Sequence, residues 1–432
     1  MSKMGIFRTL TVGLWCAAGG NILLAAPPAV VAVTPPAAST LADILPDPLR
    51  VSSVLEAAPE AAAARALVTA EQAEQMRLQA GPYEWSLRLG GQQRRSTPAN
   101  ASGERFNEWN SALERPLRLP GKAGLDRQLG EAGVAQAEVA RDDARHELAR
   151  SLLQAWFATV REQRGAAIWQ DQQALLAQQA KGVARRVQLG DAARLEAVQI
   201  EAALAQVEAQ HAQAIHRRDL AEAALQRRFP GLGLPATAAL PVPQALSGDL
   251  ESWFEALLAH NHELMLAGRQ RERVVLQAER ARRERVPDPA IGLAFSRERG
   301  GEEQVVGAYI SIPLPGGARS ATADAAQARA AAAERDEAAV RRRIEADAQA
   351  RFMTAQAAVP AWQAAARSAQ QLQRSAEMLG RAYALGEGAL AEVLQARRLA
   401  VEARLGAEQL QLDALEAQAR LLLDAHRLWA DD

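Results

Sequence analysis

Histidines are the side chains of this 432-residue sequence whose spacing first suggests chemistry. His260 and His262 stand two positions apart, and imidazole nitrogens are common metal ligands. Residues two apart on a helix do not share a face, however. The remaining four of the six histidines are scattered singly along the chain. We therefore predict no metal site.

Other reactive groups are sparse. Cys16 is the only cysteine, and no nucleophile stands beside a candidate base. The sequence also contains no glycine-rich phosphate loop. Its 50 basic and 51 acidic residues leave a net charge of −1, which gives no electrostatic case for nucleic-acid binding. We predict neither enzymatic activity nor a cofactor.

The residues that mark the ends of the predicted helices and strands occur twice in the sequence. Pro120-Gly121 recurs as Pro315-Gly316, 195 residues later, and Leu189-Gly190 recurs as Leu385-Gly386, 196 residues later. Apolar residues make up 49% of the chain but aromatic residues only 4%, which is typical of long, closely packed alanine-rich helices. The constant offset predicts an internal duplication.

Each predicted repeat contains a helix, a β-hairpin, a long helix and a return helix. The repeats span 50–228 and 249–430, and 229–248 is a proline- and glycine-rich linker. The first helices are expected at about 51–80 and 250–285, with Asn261-His262-Glu263 standing where Ala58-Pro59-Glu60 stood. The long helices are expected at about 122–188 and 318–384, and the return helices at about 191–228 and 389–429. A helix of that greater length is roughly 100 Å long.

The predicted strands have one apolar face. From Tyr83 to Leu89, bulky apolar residues alternate with polar ones, and similar alternation occurs in 106–115, 291–296 and 305–312. Four strands cannot close a barrel, and open strand edges are not tolerated in lipid. Three copies would supply twelve strands. Alternatively, Trp85, Trp109 and Tyr309 pack a small soluble sheet.

The amino terminus resembles an export signal. Lys3 and Arg8 precede an apolar run, so 1–26 is predicted to be a signal peptide that is removed together with Cys16. Cleavage after Ala18, Ala25 or Ala26 is compatible with the pattern. Trp15 before Cys16 argues against lipidation, and 27–49 is predicted to be a proline- and alanine-rich linker.

The order of these elements resembles the TolC-like outer-membrane efflux factors over about residues 50 to 430. The segment Leu113–Lys122 is similar to the corresponding segment of the heavy-metal and cation efflux branch. The resemblance implies a mainly α-helical homotrimer. A coiled-coil α-helical barrel would continue into a transmembrane β-barrel of four strands per chain and twelve per trimer.

The resemblance also implies a function and partners. The protein would be the exit duct in outer-membrane lipid, passing metal cations or small toxic compounds from an inner-membrane pump, with the RND type favoured, through a periplasmic adaptor. The alternative is the outer-membrane component of a type I protein or peptide secretion system. A third hypothesis is a periplasmic coiled-coil protein without a barrel.

Site residues follow from the same resemblance. Adaptor hairpins would dock at Leu189, Gly190, Leu385 and Gly386. Glu392 would line the periplasmic constriction, where Gln395 replaces a second acidic residue, and Tyr383 and Glu196 would form a gating pair in which Gly388 replaces an expected arginine. Pro120, Gly121, Pro315 and Gly316 would mark the barrel-to-helix junctions. Alternatively, Glu392 and Glu196 are ordinary solvated carboxylates, and the Leu-Gly pairs are simple turns.

Overall fold

The computed structural model of the chain describes residues 41–97, 103–236 and 240–429. The predicted signal peptide (1–26), including Cys16, and the predicted linker up to residue 40 lie outside the described residues.

The two halves of the described chain contain the same elements in the same order. The first half comprises α1 (Pro48–Ala57), α2 (Pro59–Ala80), β1 (Ser86–Ser96), β2 (Glu104–Pro116), α3 (Lys122–Leu189) and α4 (Arg194–Arg228). The second comprises α5 (Leu250–Ala259), α6 (His262–Arg283), β3 (Ala290–Glu298), β4 (Glu303–Ser311), α7 (Gly317–Ala384) and α8 (Leu390–Asp424). The helices of each half are 10, 22, 68 and 35 residues long.

The first helix of each half is broken once, an interruption that Pro59 predicted in the first half but that the sequence analysis did not predict in the second. In the first half Ala58 is extended (φ −64°, ψ 139°) because Pro59, which starts α2, disfavours helical geometry in the residue before it. In the second half Asn261 caps α6, accepting a 2.8 Å hydrogen bond from the Leu264 N–H. His262 thus takes the place of Pro59, as the sequence alignment of the two halves predicted.

The long helices end at glycine turns. Gly190 has φ 81° and Gly386 has φ 83°, the left-handed region that favours glycine after a helix. Pro360 lies inside α7 on an exposed face, where water can satisfy the carbonyl that its missing N–H leaves free. α8 ends at Asp424, earlier than the predicted end near 429.

The long helices organise the packing. α3 packs against α2 and α4, and α7 packs against α6 and α8, while α3 also contacts α6 and α8. The main core lies around the middle of α3, where Leu152 and Phe157 are fully buried together with Leu225 of α4 and Leu415 of α8. No described helix is long and apolar enough to cross a membrane.

The four strands form one antiparallel sheet in the order β1-β2-β3-β4. Leu87, Leu113, Leu293 and Ala308 form one row across it. β1 starts later than predicted, at Ser86, and runs on to Ser96, so that Tyr83 precedes the strand instead of belonging to it. The apolar face is exposed, whereas the opposite face carries mostly polar groups: Arg88, Gln92, Glu108, Asn110, Glu114, Ser296 and Tyr309.

Candidate functional site

The two helical turns farthest from the sheet lie side by side. Val183 of α3, Ile200 of α4 and Leu390 of α8 form a small buried cluster there, and Tyr383 packs against it. The turns themselves point outward, since Leu189 is 61% exposed and Leu385 is 77% exposed. We call this end of the helices the tip. It presents both predicted Leu-Gly turns on one surface.

At the tip, Tyr383 and Glu196 form a pair. The hydroxyl of Tyr383, near the end of α7, donates a hydrogen bond to the carboxylate of Glu196 in the first turn of α4. The guanidinium of Arg186 lies over the Tyr383 ring, 5.1 Å from its centre. Arg186 also donates a 3.3 Å hydrogen bond to the carbonyl of Asp191. The pair therefore links the two helical hairpins.

The surroundings of Tyr383 favour its neutral form. Burial, the hydrogen bond to Glu196 and the negative charge of Glu196 raise the pKa of Tyr383 to about 12, against a smaller opposing effect of Arg186. A protonated hydroxyl is required for donation to Glu196. The sequence analysis gave Arg186 no role at the tip. Its position one turn before Gly190 is the signal that could have identified it.

Glu392 lies apart from this pair. It stands in the first turn of α8 and is exposed, and its side chain makes no hydrogen bond or ion pair within the described part of the chain. Gln395 follows at nearly one helical turn, and both residues line a shallow groove with Leu372 and Leu379 of α7. Glu392 is thus exposed to solvent near the tip.

The two Pro-Gly junctions differ in backbone geometry. Gly121, just before α3, is left-handed (φ 87°), whereas Gly316, just before α7, is extended (φ −135°). Only the first position therefore requires glycine for its conformation. Both glycines directly precede a 68-residue helix, as the sequence predicted.

A buried lysine anchors the first junction. The side chain of Lys122 is 2% exposed, and its ammonium lies 2.9 Å from Asp288 and 3.2 Å from Glu284. It also donates a 2.8 Å hydrogen bond to the carbonyl of Val286. Asp288 further accepts hydrogen bonds from the Leu119 N–H (3.0 Å) and the Tyr83 hydroxyl (2.7 Å). Sequence reasoning missed this network because its members come from both halves.

Four of the six histidines, His146, His260, His262 and His426, lie close together, and the prediction that His260 and His262 point apart was wrong. Ligand nitrogens of His146, His262 and His426 all lie within 4.8 Å of one another. The helix break puts His260 at the end of α5 and His262 at the start of α6, and the rings of both lie near that of His426, with centres 5.3 and 4.9 Å away. The premise that both histidines diverge on one helix therefore fails.

Comparison with known proteins gives matches in structure only. No protein-family model matches the chain, and no curated protein matches it by sequence. The outer-membrane channel CmeC of Campylobacter jejuni superposes with a TM-score of 0.73 at 12% identity, covering 89% of this chain and 86% of that one.

Two further solved structures agree. The outer-membrane protein VceC of Vibrio cholerae has a TM-score of 0.68 at 17% identity, with 88% of this chain and 96% of that chain covered. The open state of the Neisseria gonorrhoeae channel MtrE has a TM-score of 0.66 at 18% identity, with 90% and 91% covered. The chain therefore has the fold of these outer-membrane channels, the TolC-like fold that the sequence resemblance predicted.

Proposed function

We propose that this protein is the outer-membrane exit duct of a tripartite efflux pump, working as a homotrimer and as a passive conduit. The observation that carries the proposal is the sheet. Within the described residues β1 and β4 each have one unpaired edge, and between them the sheet exposes a continuous apolar face that includes Leu89, Leu293 and Val306. A sheet of this kind needs partners and an apolar environment.

Membrane insertion would meet both needs. Every backbone polar group must be satisfied inside lipid, so strands persist there only in a closed barrel. Pairing β1 of one copy with β4 of the next leaves no edge, and three copies give a twelve-stranded barrel with the apolar face toward lipid. The polar face, with Arg88, Glu108 and Asn110, would line the water-filled interior.

The helices would continue this barrel into the periplasm. Each copy contributes two 68-residue helices, roughly 100 Å long, each flanked by shorter helices whose lengths repeat in both halves. The equal lengths support an internal duplication. If the shorter helices of each half lie end to end beside the long one, each copy provides four helical lengths and a trimer provides twelve around a tunnel. A periplasmic adaptor would dock at Leu189, Gly190, Leu385 and Gly386, bringing an inner-membrane pump, with the RND type favoured.

Cysteine cross-linking tests the barrel. β1 and β4 of one copy are separated by two strands, so about 14 Å divides them, too far for a disulfide within one chain. Gln93→Cys combined in turn with Gln304→Cys, Val306→Cys or Ala308→Cys, all on the apolar face, should give disulfide-linked trimers in oxidised outer membranes. Ser111→Cys in central β2, combined with the same partners, is the control and should give none. A trimer in which no β1–β4 pair cross-links would overturn the barrel.

Glu392 is proposed to ring the periplasmic entrance. Three unpaired carboxylates around a narrow opening favour cations. Glu392→Ala should lower the cation selectivity of the trimer in planar bilayers. Glu402→Ala, an exposed carboxylate farther along α8, is the control. Unchanged selectivity in Glu392→Ala would remove Glu392 from the constriction.

Two cargo classes fit this architecture. Residues 113–122 favour the metal and cation efflux branch, and a type I protein or peptide secretion system is the second candidate. Deletion of the gene separates them. We expect loss of metal or drug tolerance with secretion intact, and the opposite result would favour the secretion system.

A further inference from the structure

Three histidines from distant parts of the chain meet beside the end of α8. His146 comes from α3, His262 starts α6, and His426 follows α8. The rings of His146 and His426 are stacked, 5.2 Å apart and 8° from parallel, and those of His146 and His262 are 5.5 Å apart. Neutral imidazoles so placed can share one metal ion.

One ring nitrogen of this cluster is buried without a hydrogen bond. Nε2 of His426 is buried and has no hydrogen-bond partner among the described residues. Buried polar atoms are nearly always paired, and an unpaired one can mark the place of an ion. His426 also has φ 54°, which is uncommon for a residue other than glycine. The unusual backbone conformation thus occurs at the residue whose ring nitrogen is unpaired.

From these observations we propose that His146, His262 and His426 bind one divalent transition-metal ion of the Cu²⁺ and Zn²⁺ class. Imidazole nitrogens suit these ions, whereas Mg²⁺ and Ca²⁺ prefer oxygen ligands. In a tetrahedral site with bonds of 2.0–2.1 Å the ligand nitrogens are about 3.3 Å apart. The three nitrogens lie up to 4.8 Å apart. Ring rotations that move each nitrogen by about an ångström would bring them to the distance of a tetrahedral site.

The surroundings provide the remaining parts of such a site. A pocket of about 260 Å³ adjoins all three rings and gives an ion room to enter. Oδ1 of Asp424 lies 3.3 Å from Nε2 of His146. If the other ring nitrogen of His146 holds the metal, this contact orients the ligand, as carboxylates beside metal-bound histidines do.

The charges around the cluster tolerate a cation. Arg150 and Arg351 pair with Asp424, while Asp142 lines the pocket and Asp143 lies nearby. Burial is the main cause that raises the pKa of Asp143, and the negative charges of Glu147 and Glu263 add to it.

The metal would join both halves of the chain. His146 belongs to the first half, and His262 and His426 belong to the second. Binding would therefore fix the carboxyl-terminal end of α8 against α3 and α6 and stabilise the native state by mass action. This role is independent of the proposed function as an exit duct.

Metal titration of the purified full-length protein is the test. The protein carries no polyhistidine tag and is stripped with EDTA, and Cu²⁺ is then added while binding is followed by calorimetry and electron paramagnetic resonance. We expect one tightly bound Cu²⁺ per chain, nitrogen coupling from three imidazoles, and a higher thermal midpoint with Cu²⁺ or Zn²⁺ but not with Mg²⁺.

Variants assign the ligands. Asp424→Asn, which removes the orienting carboxylate, should weaken binding by about 10-fold. His262→Gln and His426→Gln should weaken it further and each remove one nitrogen coupling. The control His211→Gln/His216→Gln changes two histidines of α4 and should bind like the unaltered protein. The proposal is overturned if the unaltered protein binds no stoichiometric Cu²⁺, or if both ligand variants keep full affinity.

Discussion

Tyr383 donates its hydroxyl hydrogen to Glu196 across the tip, which ties the end of α7 to the first turn of α4. A hydrogen bond to a charged group contributes about 1.5–3 kcal/mol. Tyr383→Phe removes it without changing the shape of the ring. If the tip is the gate, the closed-to-open ratio should fall by about 10- to 150-fold, measured as a higher open fraction in planar bilayers.

A matched substitution distinguishes gating from a general loss of stability. The hydroxyl of Tyr309 in β4 donates a 2.8 Å hydrogen bond to Glu114, so Tyr309→Phe removes the same kind of contact from the sheet. It should leave the open fraction unchanged. Equal opening in both variants would argue against a gate at Tyr383.

The high pKa of Tyr383 predicts a specific pH dependence. A tyrosine ionises near pH 10 when unfolded, but Tyr383 keeps its proton to about pH 12 in the fold. Its stabilising effect is therefore complete below pH 10 and is lost as the pH rises from about 10 to 12. The difference in phenolate absorbance between the unaltered protein and Tyr383→Phe should have its midpoint near pH 12.

Glu196→Gln checks the cause of that shift. It removes the negative charge and weakens the hydrogen bond, but leaves the burial of Tyr383, which is the largest cause. The midpoint should move part of the way back toward pH 10. A midpoint near 10 in the unaltered protein would show that the phenol is solvated at the tip.

Gly292 in β3 makes room for an aromatic ring on the polar face of the sheet. A Cβ at this position would overlap the ring of Tyr309, which crosses Gly292 to reach Glu114. Gly292→Ala should displace Tyr309 and lower the temperature at which the protein unfolds in detergent, measured by electrophoresis of heated samples. Gly307→Ala in β4 is the control, since no atom lies within 4 Å of its added methyl group.

Lys122 should be the charged residue most sensitive to substitution where β2 leads into α3. Lys122→Met leaves Asp288 without its buried cation, and breaking a buried ion pair from one side costs about 3–5 kcal/mol. We expect a clear drop in the thermal midpoint, measured by circular dichroism. Arg127→Met removes an exposed pair with Glu131 and should change the midpoint little, because such pairs contribute about 0–1 kcal/mol.

Local sequence signals predicted the elements well. Pro59 and the prolines after Arg285 break helices because proline restricts its neighbours, and Gly190 and Gly386 end the long helices because they adopt positive φ. Between these prolines and glycines the alanine-rich helical pattern continues without interruption. The strand ends were less accurate. Pairing with β2 decides where β1 ends, and the polar residues of 90–96 give no local sign of it.

The order, type and approximate length of the helices and strands follow from local sequence, because they depend on residues within a few positions of one another. Which distant residues meet depends on how the helices pack. His146 and His426, or Lys122 and Asp288, become neighbours through the way α3 packs against the second half of the chain. No local pattern encodes that packing, since alanine-rich faces allow helices to slide and rotate. The contacts at the tip, at the junction and in the histidine cluster are therefore set by helix packing and could not be predicted from the sequence.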